Sequence, residues 1–164
     1  AVTSRLIRGR IVRYVDACTS DGMLMISFPP ERSASIGIRP LFDQDEIVKL
    51  FDEMLLEHIT EEAQWSRRLK ATAEKLASKE PLARAGVARD LLRRRAMRSL
   101  SLAERDQLNS ALKPLLSEIR LVLDIDEDTA TRLVCMASVE GRHPLSSSND
   151  VKNIGDVSKS RDHQ

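Results

Sequence analysis

Aromatic residues are scarce in this 164-residue chain, at 3% of the whole, and there is a single tryptophan. Cysteine is scarcer still. Cys18 and Cys135 stand far apart, in no CxxC and in no Cys/His cluster, which excludes a zinc knuckle and a disulfide framework and suits a reducing cytoplasm. The six glycines are too dispersed for a phosphate-cradling loop. No apolar run reaches the length of a signal segment or a membrane span; Met23 to Ile26 is among the longest uninterrupted ones. These absences predict a soluble, cytoplasmic protein that does not engage the membrane. Charge of one sign is lacking as well: 26 Lys+Arg against 25 Asp+Glu leave +1, so the overall balance names no partner. No GxSxG or HExxH motif is present, no catalytic site is visible, and neither cofactor nor metal is expected. The acidic cluster Asp124, Asp126, Glu127, Asp128 lacks the glycine and distal glutamate of a calcium loop and reads as a helix N-terminus.

What is present falls into two regimes and a tail. From Arg10 to Arg39 the pattern is strand-like: Ile11, Val12, Tyr14 and Val15 form one run, Asp21-Gly22 a hairpin-type turn, and Met23 to Phe28 a second run. Ser35 to Pro40 offers a short third strand. Two or three strands bury too little apolar surface alone. From Asp43 the period is helical. Asp43 and Glu46 form a capping-box start, after which Ile47, Leu50, Phe51, Met54, Leu55 and His58 share a face. A second helix is predicted over 60–78 with Trp65, Leu69, Thr72 and Leu76 in register, and a third opens at Pro81. Ser101 and Glu104 cap a fourth, in which Pro114 is expected to make a kink by removing the bond to the Ser110 carbonyl. A fifth short helix is predicted between Asp126 and Ala137. The expected fold class is α+β: a β module over 1–41, a helical domain of about five helices over 42–140, and a disordered tail over 141–164, whose polar composition does not offset the entropy of ordering.

Local charge says more than the total. Between Trp65 and Arg98 eleven cations face three acids, whereas from Phe42 to Gln64 eight acids face one lysine. A basic helical pair beside an acidic helix suits a polyanion on one side. Blander readings compete for each residue. Trp65 lies in line with Leu69, Thr72 and Leu76, where a tryptophan is usually core; the run Arg93-Arg94-Arg95 is ordinarily a solvated face; Arg68 and Lys75 suit snorkelling as well as a phosphate grip. Arg89 and Asp90 are expected to pair with their neighbours. His58 is expected to be half-buried, and His143 and His163 to belong to the loose end.

QWSRRLKATAEKLAS, VARDLLRR, SLAERDQLNSAL and DIDEDTATRLV, in that order, resemble the helical domain of the CarD/CdnL family of bacterial RNA polymerase-binding transcription regulators. MLMISFPPERSASIGIRPL is similar to the segment where that family's N-terminal module ends. The resemblance covers about Met23 to Val139. It implies a noncatalytic transcription regulator whose Trp65 wedges into the minor groove of double-stranded promoter DNA at the upstream edge of the bubble. By the same resemblance Arg67, Arg68 and Lys70 hold phosphates, Arg93 and Arg94 are further candidates for that role, and a partial Tudor-like barrel engages the RNA polymerase β subunit. The protein is then nucleoid-associated through polymerase, and a monomer. The family's opening VVYP-type strand and glycine turn are not present in TSRLIRGRIVRYVDACTSDG, so the β module is divergent or truncated and no polymerase-contacting residue transfers. Two other readings stay open: a helical protein-interaction module, and a stand-alone non-specific DNA binder without polymerase contact.

Overall fold

The computed structural model describes residues 1–19, 22–57 and 64–145. The fold is α+β, and the chain divides into two compact units, Ala1–Pro40 and a second that begins at Leu41.

In the first unit β1 (Val2–Ile7), β2 (Arg10–Cys18) and β3 (Met25–Phe28) form an antiparallel sheet in the order β1-β2-β3. The sequence reading missed β1. Its signal was Arg8-Gly9, a two-residue connection with φ of 49° and 78°, the left-handed pair that joins hairpin strands and that glycine adopts without cost. The strand proposed over 35–40 is corrected: Ala34–Ile36 is a short 3-10 turn closed by Gly37 at φ 78°, which leaves no extended backbone to pair. At the β2–β3 connection Asp21 lies outside the described residues, while Thr19 and Leu24 exchange bonds across the loop.

Strand register sorts the side chains. Val2, Val15 and Phe28 are aligned across the sheet, as are Leu6 with Ile11 and Ala17 with Ile26, so one face is largely apolar, interrupted by the Ser4–Arg13 pair. The other is stitched by Asp16, which accepts bonds from the hydroxyls of Ser27 and Thr3 and from the Arg5 guanidinium, and Arg5 also stands 4.7 Å from the Tyr14 ring centroid. Those hydroxyl donors hold the Asp16 carboxyl below its ordinary range. Phe28 is the one buried side chain among the described residues of this unit.

The helical unit contains α1 (Gln44–Leu55), α2 (Trp65–Ala77), α3 (Pro81–Met97), α4 (Leu102–Leu123) and α5 (Glu127–Ser138). Four of the five starts have a local cause. Asp43 and Glu46 make a reciprocal capping box on α1, Ser101 and Glu104 another on α4, Pro81 opens α3, and Asp126 accepts the Thr129 N–H at 2.7 Å to cap α5. Asp126, Glu127 and Asp128 of the acidic cluster thus form a helix start, as their composition implied, whereas Asp124 ends α4 in the left-handed conformation at φ 53°. The core is aliphatic, with Ile47, Leu50, Phe51 and Met54 of α1 fully buried against Ala85, Ala88 and Leu92 of α3, Leu115 and Ile119 of α4 and Val134 of α5. α4 runs on through Pro114, which lies on the exposed side of the helix, where water can take up the bond that proline does not make.

The helical unit also extends further than composition suggested. Leu145 is fully buried, its N–H donates to His143 Nδ1 at 3.0 Å, and the His143 ring packs edge-on to Phe51 with Nε2 3.2 Å from Asp52. His143 therefore belongs to the packed structure and not to a loose end, because one apolar residue reaching a core offsets the polarity of its neighbours. His58, His163 and the rest of the expected tail lie outside the described residues.

Candidate nucleic-acid interface

α2 differs from its neighbours. It packs against α3 and α4, yet none of its residues is buried; Leu69, Thr72 and Leu76 are only half-buried. Trp65 begins the helix and is 50% exposed. It stands in line with the packed stripe but beyond the end of it, so the burial preference of tryptophan is not met here.

Electrostatics bears on this end too. The first turns of α1, α4 and α5 carry acids that complement the positive end of the helix dipole; that of α3 carries none but follows the acidic N-cap residue Glu80, and that of α2 carries none and follows the neutral Gln64, which supplies no side-chain cap. Arg67 and Lys70 are exposed there. The positive end of the dipole and these cations lie within the first two turns of the helix whose first residue is the exposed indole, an arrangement suited to an anionic polymer.

The remaining predicted cations are placed differently. Arg93 turns inward: Nε donates to the Ser138 carbonyl at 2.6 Å, Nη1 to that of Leu56 at 2.8 Å, and Nη2 to those of Met54 and Leu55 at 3.2 and 3.4 Å. It closes the C-terminal end of α1 and reaches the last residue of α5. Burial and the nearby Arg89 charge pull its guanidinium below the ordinary range. Arg94 pairs with Glu104 at 3.0 Å, and Arg68 reaches the same carboxylate oxygen at 3.9 Å, with side chains only 11% and 15% exposed. Arg89 pairs with Asp90 at 2.7 Å and Glu53 at 3.3 Å, as expected. The structure thus gathers Trp65, Arg67 and Lys70 on one exposed helix end and takes the Arg93, Arg94 and Arg68 guanidinium groups toward protein partners.

Glu104 and Gln107 were missed by the sequence reading. Glu104 was seen only as half of a capping box. Buried, it is pushed up by desolvation, but the Ser101 N–H and hydroxyl, Arg94 and Arg68 together outweigh this and hold its carboxyl below the ordinary range. Gln107 Nε2 donates to the Leu69 carbonyl of α2 at 2.9 Å. No local sequence signal announces either contact, since both depend on how α4 meets α2.

The family profile described as CarD, C-terminal domain, matches residues 49–135. The chain belongs to the CarD family. The match spans the whole of α2, α3 and α4, so the helix that carries Trp65 lies inside the shared domain. A CarD-like transcription regulator is the function at this level, in a family of non-enzymatic transcription factors that interact with RNA polymerase. Among the described residues of this CarD-like chain no group of three His, Cys, Asp or Glu side chains is placed to hold a metal, and no helix is long and apolar enough to cross a membrane.

Proposed function

We propose that this CarD-family protein stabilises the promoter open complex, with the helical unit acting on double-stranded DNA at the upstream edge of the bubble and the first unit engaging the RNA polymerase β subunit. The observation that carries the reading is the half-exposed Trp65 at the head of a helix whose first turn holds no acid and whose first two turns carry exposed Arg67 and Lys70. Unstacking a base step costs a few kcal/mol, and an indole filling the opened step offsets that cost in melted DNA more than in closed DNA. Arg67 and Lys70 hold phosphates and carry no base information. Arg68, Arg93 and Arg94 are left to internal contacts. Such a regulator acts as a monomer in the cytoplasm, at the nucleoid.

The test compares a duplex with the same duplex carrying a preformed mismatch bubble. Trp65→Ala lowers bubble affinity by roughly tenfold, about 1.4 kcal/mol of a wedge worth a few, and leaves duplex affinity within about twofold. Arg67→Ala and Lys70→Ala each reduce the log-log salt slope by about one unit. Equal loss on both DNAs for Trp65→Ala, or unchanged slopes for the cation variants, refutes the reading in favour of a helical protein-interaction module. Retention of bubble binding with loss of polymerase capture would leave a stand-alone DNA binder.

A further inference from the structure

We propose that Glu104 is the positioning residue for the tryptophan helix: its buried carboxylate, joined to Arg94 of α3 and Arg68 of α2, sets the angle at which α2 presents Trp65. The effect on DNA rests on the function proposed above, but the mechanical tie does not.

α2 needs such a tie. With no buried side chain, it is held to α3 and α4 by half-buried aliphatic groups, and apolar contact is non-directional, so it fixes proximity without fixing angle. Hydrogen bonds are directional, and a partly buried ion pair adds attraction at a fixed point. α4 reaches α2 in both ways from positions one turn apart, Gln107 by a hydrogen bond to the Leu69 carbonyl at 2.9 Å and Glu104 by a 3.9 Å ion pair to Arg68, which is one helical turn from Trp65. The clamp therefore closes on the turn adjoining the exposed indole.

Glu104 is built to hold. Oε2 accepts the Ser101 N–H at 2.9 Å and its hydroxyl at 2.8 Å, which locks the carboxylate to the start of α4, while Oε1 is left for Arg94 at 3.0 Å and Arg68 at 3.9 Å. One side chain thereby joins three helices. The pair to Arg94 is short and that to Arg68 sits at the outer limit of an ion pair, so the α3–α4 corner is the fixed frame and α2 the adjustable member.

The competing interpretation makes Glu104 a helix cap and nothing more. Glu104→Gln separates the two, because glutamine serves a capping box but carries no charge for Arg68 or Arg94. The positioning role predicts amide exchange in α2 faster by about tenfold with α4 and α5 protection retained, together with altered acrylamide quenching of Trp65 in the free protein. Bubble-over-duplex preference falls by about fivefold, and Arg68→Gln combined with Glu104→Gln lowers it no further than either alone, the signature of one shared interaction. Arg68→Gln leaves the α4 cap whole and must loosen α2 in the same way, which keeps the test decisive if Glu104→Gln fails to fold. Unchanged α2 exchange and Trp65 quenching in Arg68→Gln overturn the proposal. Loosened α2 together with a Trp65→Ala variant that keeps its bubble preference upholds the tie and refutes the promoter reading instead.

Discussion

Arg93→Ala should unfold the helical unit more readily without changing how its binding responds to salt. The guanidinium makes four bonds to backbone carbonyls, two of them short at 2.6 and 2.8 Å and two long at 3.2 and 3.4 Å. Hydrogen bonds to a charged group contribute about 1.5–3 kcal/mol each, and alanine removes one of the two guanidinium groups at the negative end of the α1 dipole, leaving Arg89 on the Glu53 carbonyl at 2.9 Å. Counting the two short bonds at the lower figure gives about 3 kcal/mol, with the long pair adding little. For a unit of this size that lowers Tm by roughly 12 °C or more. Urea denaturation followed by circular dichroism measures the loss as a shift in midpoint at constant m. Arg93→Lys keeps the charge but not the planar fork, and recovers only part of the loss. The salt dependence of duplex binding should match that of the parent protein. A stability loss below about 1 kcal/mol accompanied by a salt slope reduced by about one unit would make Arg93 a phosphate contact and refute its assignment as an internal clasp.

Leu145→Ala tests whether the chain beyond α5 is part of the core: its side chain is fully buried, so the change should cost about 2–5 kcal/mol in urea denaturation, whereas a residue in a loose tail would cost almost nothing. Glu104 predicts a pH effect of defined sign. Its folded-state carboxyl lies below the ordinary range, so its contribution is present above the unfolded-state value and is lost as pH falls through the lowered one. Glu104→Gln should therefore flatten the acid limb of stability against pH, measured by thermal melts across that range; an unchanged limb would mean that the carboxylate gains nothing from Ser101, Arg94 and Arg68.

The helical half of the fold was legible because its determinants are local. Capping boxes at Asp43 and Ser101, proline at the head of α3 and the aliphatic stripes of α1 and α4 each lie within a few residues of what they specify. β1 was overlooked because its six residues alternate weakly and all are exposed, so only the Arg8-Gly9 turn betrays it. For the site, a local reading separates Arg67 and Lys70 from Arg93 poorly: all are cations on helices, and Arg93 is drawn inward by the carbonyls that end α1 and α5. The burial preference of tryptophan points inward for Trp65, yet half of its surface stays exposed at the head of α2.

The inward arginine has one further consequence. α1 and α5 are the first and last α-helices among the described residues of their unit, and fraying ordinarily begins at such outer segments. A single group rooted in the middle helix grips the closing turn of both, so neither can peel away while the other stays untouched. Loss of either helix end removes acceptors from the same guanidinium, and opening at one extremity of the unit is thereby felt at the other.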